Sequence, residues 1–223
     1  MKEHTISKFQ TETLKQVGWV TETIPDLRDM EEYLLQIGMA LGQPKRLRDW
    51  GEIVQKLTPT LEHNAHPRSL SALHSLLNFP IHIDTAHWLS PCRYVILGCS
   101  KVGSGNRKTK LLDFGLLAIS KDEKKLLCST PFKVVNGCHS FYSNVLSHHR
   151  DFIRYDRGCM VPTSSSGFEV FEIFSEERWK NQIEEIEWQV GTVLIIDNWR
   201  VLHGRGVALK EDSDRLLHRV LVV

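Results

Sequence analysis

His82 and Asp84 stand two residues apart in the stretch Phe79-Pro80-Ile81-His82-Ile83-Asp84-Thr85-Ala86-His87-Trp88. Alternate side chains of an extended strand share a face, so this spacing sets an imidazole nitrogen beside a carboxylate oxygen. A neutral histidine donates one ring nitrogen to a metal, and a carboxylate offsets part of the ion's charge. A second histidine comes near the far end of the chain, where the apolar run Val193-Leu194-Ile195-Ile196 leads through Asp197-Asn198-Trp199-Arg200-Val201-Leu202 into His203-Gly204-Arg205. Two histidines and one carboxylate on one face of the ion, with the other positions open, suit ferrous iron and dioxygen chemistry. Taken singly, each of the three is more often a partner in an ordinary hydrogen-bond network. What speaks for a site is their joint occurrence with Arg215, twelve residues past His203, whose planar fork suits a carboxylate.

These residues need a scaffold that brings distant strands together. From Leu76 onward the sequence reads as extended, with short strands at 80–84, 94–99, 126–127 with 133–135, 168–174, 188–190, 193–196 and 218–223, broken by Gly, Pro or Ser. Many short strands so punctuated favour a sandwich or barrel over a parallel sheet. Helices are expected at 109–118 and at 175–185, the latter with a Ser cap and Glu176 and Glu177 in its first turn. Before residue 76, Asp26 reads as an N-cap, and Leu27, Met30, Leu34, Ile37 and Leu41 form the stripe of an amphipathic helix ended by Gly42 and Pro44. Residues 1–25 read as a lead-in with one strand near 17–20, residues 51–57 tend to strand, and 58–68 read as a surface loop. The stretch 146–167 is the candidate for a mobile loop, in a fold where such segments close over substrates. The expected architecture is mainly β with flanking helices, a double-stranded β-helix (jelly roll, cupin-like), in one domain over residues 1–223.

Composition narrows the function classes. Lys plus Arg number 28 against 27 acidic residues, so no global field draws the chain to nucleic acid or an anionic membrane. The cluster Arg107-Lys108-Thr109-Lys110 reads as a solvated loop, because a nucleic-acid footprint gathers basic charge over a whole face. Cys92, Cys99, Cys128, Cys138 and Cys159 are odd in number and include no Cys-x-x-Cys pair, which argues against a disulfide framework or zinc knuckle. With a polar start and no run long enough to span a bilayer, a cytoplasmic protein is expected, and a reducing compartment suits ferrous iron.

The dipeptide with its spacer, the Asp197-to-Arg205 run and Arg215-Leu216-Leu217-His218-Arg219 together resemble the taurine dioxygenase-like (TauD/TfdA) family of Fe(II)/2-oxoglutarate oxygenases. Gly42-Gln43-Pro44, the stretch 69–82 and Gly105-Asn106-Arg107-Lys108-Thr109 are similar to the family in the same order. The resemblance implies the jelly roll, Fe(II) held by His82, Asp84 and His203, 2-oxoglutarate as co-substrate, dioxygen as oxidant and ascorbate as a reductant in vitro. Asp84 in the carboxylate position argues for oxygenation, since relatives that halogenate carry a small residue there. Arg215 takes the place of the arginine that grips the distal carboxylate, with a barrel-end salt bridge as the alternative. Thr109 takes the place of a threonine hydroxyl on the same carboxylate, within a word that departs from the family's usual Gly-Gly-Asp/Glu-Thr. Arg219 either helps hold the co-substrate or reaches an anionic group on the substrate. Asn78 is either a substrate contact or a turn residue before Pro80. His87 is a neighbour of the metal strand and a substrate-site candidate. Arg154, in a segment similar to those lining the family's pocket, is either a substrate contact or half of a structural Arg–Asp pair.

The expectation is a dioxygenase that hydroxylates an unactivated C–H bond of a small polar or amino-acid-like metabolite, releasing succinate and carbon dioxide. The substrate is acidic, zwitterionic or carrier-tethered. The same oxidant giving desaturation, cyclisation or demethylation is the first alternative; a jelly-roll protein that binds metal and ligand without turnover is the second.

Overall fold

The computed structural model describes residues 8–24, 29–60, 74–105, 107–207, 212 and 214–223. The apolar run Val193 to Ile196 forms strand β11 (Thr192–Asp197), and it is buried on both faces because it lies inside a sheet covered on each side. It pairs antiparallel with β1 (Trp19–Thr23) and with β5 (Tyr94–Lys101). β5 pairs in turn with β13 (Leu216–Val222), whose far edge takes β2 (Pro44–Lys45) and β3 (Gln55–Leu57). Alternation then sorts the side chains. Ile96, Val193, Ile195, Val220 and Val222 pack against Met30, Leu34 and Ile37 of helix α2 (Met30–Leu41), which follows α1 (Lys8–Val17) and β1. Gly98 permits that packing: a Cβ there would meet the Met30 sulfur at 2.5 Å. Val95, Leu97, Cys99, Leu194, Leu217 and Leu221 face the other way, toward the second sheet.

That second sheet runs β10 (Glu184–Ile186), β6 (Thr109–Asp113), β12 (Val201–Arg205), β4 (Phe79–His82). The two face-to-face antiparallel sheets are the jelly-roll arrangement that the strand pattern implies. A third, smaller sheet, β8 (His139–Ser143), β7 (Phe132–Asn136), β9 (Met160–Pro162), closes the far side together with α3 (Lys121–Ser129) and α4 (Ser165–Ile173). Between them lies a core that includes Ile81, Ile83, Leu112 and Leu202 with Phe132, Val134, Val170 and Phe171.

Several local expectations are corrected. Residues 168–174 lie on a helix: Gly167, Val170, Phe171 and Phe174 are buried at steps of three, one and three, a helical period. Leu126 and Leu127 end helix α3, which is started by a capping box in which Ser120 and Glu123 each satisfy the other's backbone N–H. Thr109 to Asp113 is a strand, not a helix; it does not alternate because both of its faces are largely covered. Residues 175–185 form turns that bury Trp179 and then enter β10, and 188–190 are not a strand. The N-terminal lead-in contains α1, and β1 begins at Trp19. Helix α2 starts at Met30 after Asp29; Asp26 and Leu27 lie outside the described residues, as do 61–73. The stretch 146–167 is no open loop. It buries Phe152, Ile153, Arg154 and Tyr155 and contains β9.

All five cysteines are free, and no helix among the described residues is long and apolar enough to cross a membrane.

Candidate metal centre

β4 and β12 are antiparallel neighbours, and their register sets His82 directly opposite His203. Side chains opposite one another share a face of the sheet. The rings accordingly meet with centroids 4.9 Å apart, tilted by 48°. Just past the end of β4, Asp84 turns its carboxylate to the same point: Oδ1 lies 3.9 Å from His82 Nε2 and Oδ2 lies 3.9 Å from His203 Nε2. One ligand atom from each residue lies within 4.8 Å of the others, and all three residues are buried. Gly204 keeps the two strands close, since a Cβ there would meet the Phe79 carbonyl oxygen at 2.6 Å.

The protonation states suit a cation. His82 Nδ1 lies 2.9 Å from the Pro80 carbonyl oxygen, which can only accept, so the proton sits on Nδ1 and Nε2 keeps its lone pair for the site. Burial, and then the neighbouring His82, push the His203 pKa down to about 4, so this ring is neutral at pH 7. Burial alone would raise the Asp84 pKa; Arg219, with help from His203 and His82, more than reverses this and holds it below the usual carboxylate range. Two imidazole nitrogens and one carboxylate gathered at one point fit a divalent ion of intermediate hardness.

The supports of Asp84 escaped the sequence reading. Arg219 Nη1 donates to Oδ1 at 3.0 Å and Oδ2 at 2.9 Å, while its Nε and Nη2 donate to Gln55 Oε1 on β3. Asn198 Oδ1 accepts the Asp84 N–H at 2.8 Å, and Asn198 Nδ2 donates to the Asp84 carbonyl at 3.0 Å and the Cys92 carbonyl at 2.7 Å. Asn198 was legible as part of the run into His203, but its partner is 114 residues away. Only the fold shows that pairing.

The triad opens onto a cavity of about 860 Å³ that is also lined by Thr109, Arg205, Arg215, Leu97 and Leu217 and by His87, Trp88 and Asp156. Trp188 Nε1 donates to Thr109 Oγ1 at 3.0 Å, which leaves the threonine's own proton to donate to an incoming group. Arg215 is 4% exposed and donates to the Val102 carbonyl at 3.1 Å. Arg107 and Arg205 cluster near it, with Asp212 as the buried carboxylate among them. Burial, then mutual repulsion, push the Arg205 pKa down to about 9, and burial lowers that of Arg107 and of Arg215. Among the described residues, three guanidinium groups cluster around one buried carboxylate, an excess of positive charge that suits an entering carboxylate. Arg107-Lys108-Thr109-Lys110 is therefore not a solvated loop: Arg107 and Thr109 are buried, Lys108 pairs with Glu185 and Glu187, and Lys110 pairs with Glu176.

Of the substrate-site candidates, His87 and Arg219 line the cavity, and burial lowers the His87 pKa. Asn78 does not line it; it accepts from Lys110 Nζ at 2.9 Å in a network with Glu176. Arg154 is also absent from the cavity lining. Its guanidinium donates to the carbonyls of Ala86, Trp88 at 2.6 Å and Leu89 at 2.7 Å, and packs over Phe141 and Phe152. It pairs with backbone, not with Asp156, because three carbonyls of one turn converge where a planar fork can reach them all.

Residues 123–221 match the family model described as "Taurine catabolism dioxygenase TauD, TfdA family". That range contains His203, Arg215 and Arg219, while His82, Asp84 and Thr109 precede it. No curated protein matches the chain by sequence. Among solved structures, asparagine oxygenase in complex with Fe(II), 2S,3S-3-hydroxyasparagine and succinate is 16% identical, with a TM-score of 0.77 over 97% of this chain and 78% of that one. Non-heme iron oxygenase OrfP in complex with Fe and alpha-ketoglutaric acid is 18% identical, with a TM-score of 0.74 over 96% of this chain and 78% of that one. OrfP with Fe, succinate and (3S)-hydroxy-L-Arg is 18% identical, with a TM-score of 0.73 over the same shares. The shared fold spans nearly the whole chain.

Proposed function

As a TauD/TfdA-family chain over residues 123–221, on the fold of the non-heme iron oxygenases, this protein is, we propose, an Fe(II)/2-oxoglutarate-dependent dioxygenase acting on an amino acid or amino-acid-like metabolite. The observation that carries the proposal is the convergence of His82, Asp84 and His203 at the wall of a cavity that Thr109 and Arg215 also line. In this reading His82 Nε2, His203 Nε2 and an Asp84 oxygen hold the iron. Arg215 and the Thr109 hydroxyl hold the distal carboxylate of 2-oxoglutarate. Iron with 2-oxoglutarate and dioxygen supplies an oxidant strong enough to take hydrogen from an unactivated C–H bond, and the products are succinate, carbon dioxide and the hydroxylated substrate.

The residues of this chain orient the reactants and exclude water. The Pro80 carbonyl fixes the His82 ring with Nδ1 turned to the backbone and Nε2 to the site, and burial keeps a proton off His203. Leu97 and Leu217 give the cavity that the triad and Arg215 share an apolar lining, which favours desolvation of a bound oxo acid. His87, Asp156 and Arg219 line the rest of the cavity, a mixture of basic and acidic groups that suits a zwitterion. The bound hydroxyasparagine and hydroxyarginine of the solved relatives support an amino-acid substrate.

Purified protein with ferrous iron, 2-oxoglutarate and ascorbate should release succinate slowly alone and faster with its substrate, and His203→Ala should abolish both rates. An amino-acid library read by mass spectrometry should show one product heavier by a single oxygen atom. Equal iron and 2-oxoglutarate binding by wild type and His203→Ala would end this reading.

A further inference from the structure

We propose that Asn198 is a positioning residue for the metal centre: its side-chain amide locks the Asp84 backbone to the turn that delivers His203. The inference rests on the assignment of His82, Asp84 and His203 as metal ligands. β4 ends at His82, so Asp84 has no ladder partner to fix its backbone, and Thr85 sits at φ +57°, a left-handed conformation unfavourable for a β-branched residue. A backbone with those liabilities needs an outside constraint. Asn198 supplies one by imitating a strand: its Oδ1 takes the Asp84 N–H and its Nδ2 gives a hydrogen bond to the Asp84 carbonyl, the two bonds a pairing neighbour would make. The remaining amide hydrogen goes to the Cys92 carbonyl. Thr85 Oγ1 completes the clamp, donating to the Asp84 carbonyl at 2.7 Å and accepting the Cys92 N–H at 2.8 Å.

Asn198 is itself held fast. It is 0% exposed, and its N–H donates to the Arg93 carbonyl at 2.8 Å. It stands five residues before His203, in the turn between β11 and β12. One amide therefore couples two ligands that are far apart in sequence, so a shift of the turn moves Asp84 and the start of the His203 strand together. A buried amide with all its hydrogen bonds made also resists replacement by any other side chain of its size. The register between β4 and β12 aligns the histidines; the carboxylate's aim depends on Asn198.

The test uses the full chain and cobalt(II) as the probe, read by chelator competition and by the cobalt ligand-field spectrum, beside thermal melts of the metal-free protein. Asn198→Ala should weaken cobalt binding about 10- to 100-fold, the range for groups that orient metal ligands, and should alter the spectrum. A core truncation in the third sheet that removes no hydrogen bond to Asp84, Val134→Ala in β7, should lower the melting temperature while leaving affinity and spectrum as in wild type. If Asn198→Ala does not fold, Asn198→Ser is read by the same criteria. Wild-type affinity and spectrum in the Asn198 variant, or an equal loss in Val134→Ala, would overturn the inference. Failure of the wild type to bind cobalt at all would instead overturn the metal-site reading on which it rests.

Discussion

Replacing Arg219 by Gln isolates what holds a buried carboxylate ionised when no metal is bound. The guanidinium reaches both Asp84 oxygens at 2.9 and 3.0 Å, and the two side chains are only 16% and 12% exposed, so solvent replaces little of the lost interaction. Hydrogen bonds to charged groups are worth about 1.5–3 kcal/mol each, and breaking a buried pair from one side costs about 3–5 kcal/mol. The residual exposure and the two bonds sharing one nitrogen point to the lower end, about 2–3 kcal/mol for the metal-free protein at pH 7. The size of the effect depends on pH. In the wild type Asp84 is held below its ordinary value, so its contribution is present above about 3.9 and is lost as pH falls through the depressed folded pKa. Without Arg219 burial dominates and raises that pKa, so the variant is penalised at neutral pH and relieved as acid protonates the carboxylate. Urea melts of both proteins in chelator across this range should show the deficit of Arg219→Gln shrinking on acidification. Cobalt(II) should stabilise the variant more than the wild type, since the ion restores the missing charge. A deficit that is absent at pH 7, or that does not change with pH, would refute the reasoning.

Other outcomes follow from the same geometry. The His203 pKa is depressed to about 4, below its unfolded value of about 6.5, so its stabilising effect is complete above about pH 6.5 and is lost as pH falls toward 4. Proton and metal compete for the same nitrogen of the folded protein, so cobalt affinity measured by chelator competition should decline only as pH falls to and below the folded value of about 4; an affinity that stays flat through that value would exclude His203 as a ligand. Arg215→Lys keeps the charge but loses the planar fork, and should weaken 2-oxoglutarate binding about 10- to 100-fold, read from the absorption band of the metal–oxo acid complex. Arg154→Ala strips hydrogen bonds from three carbonyls of residues 86–89 and should destabilise the fold by about 3 kcal/mol in urea melts.

The residues that the fold gathers at one point were legible in the sequence because residue type and local spacing mark them. His82 and Asp84 share one short stretch, the apolar run of β11 announces the approach to His203, and Arg215 stands just before β13. The jelly roll was legible for a similar reason, since short punctuated strands can bury their faces only in packed antiparallel sheets. Assignments failed where local pattern is ambiguous: α4 carries a helical period in a run that also reads as strand, and β6 loses its alternation because both faces are covered. Tertiary structure alone decided where these polar side chains go. Arg154 is drawn to three backbone carbonyls, Arg219 to Asp84 and Gln55, and Asn78 to Lys110 and Glu176. A guanidinium or amide satisfies its hydrogen bonds with whatever the fold brings within reach, and those partners lie up to 164 residues away, beyond anything local spacing can encode.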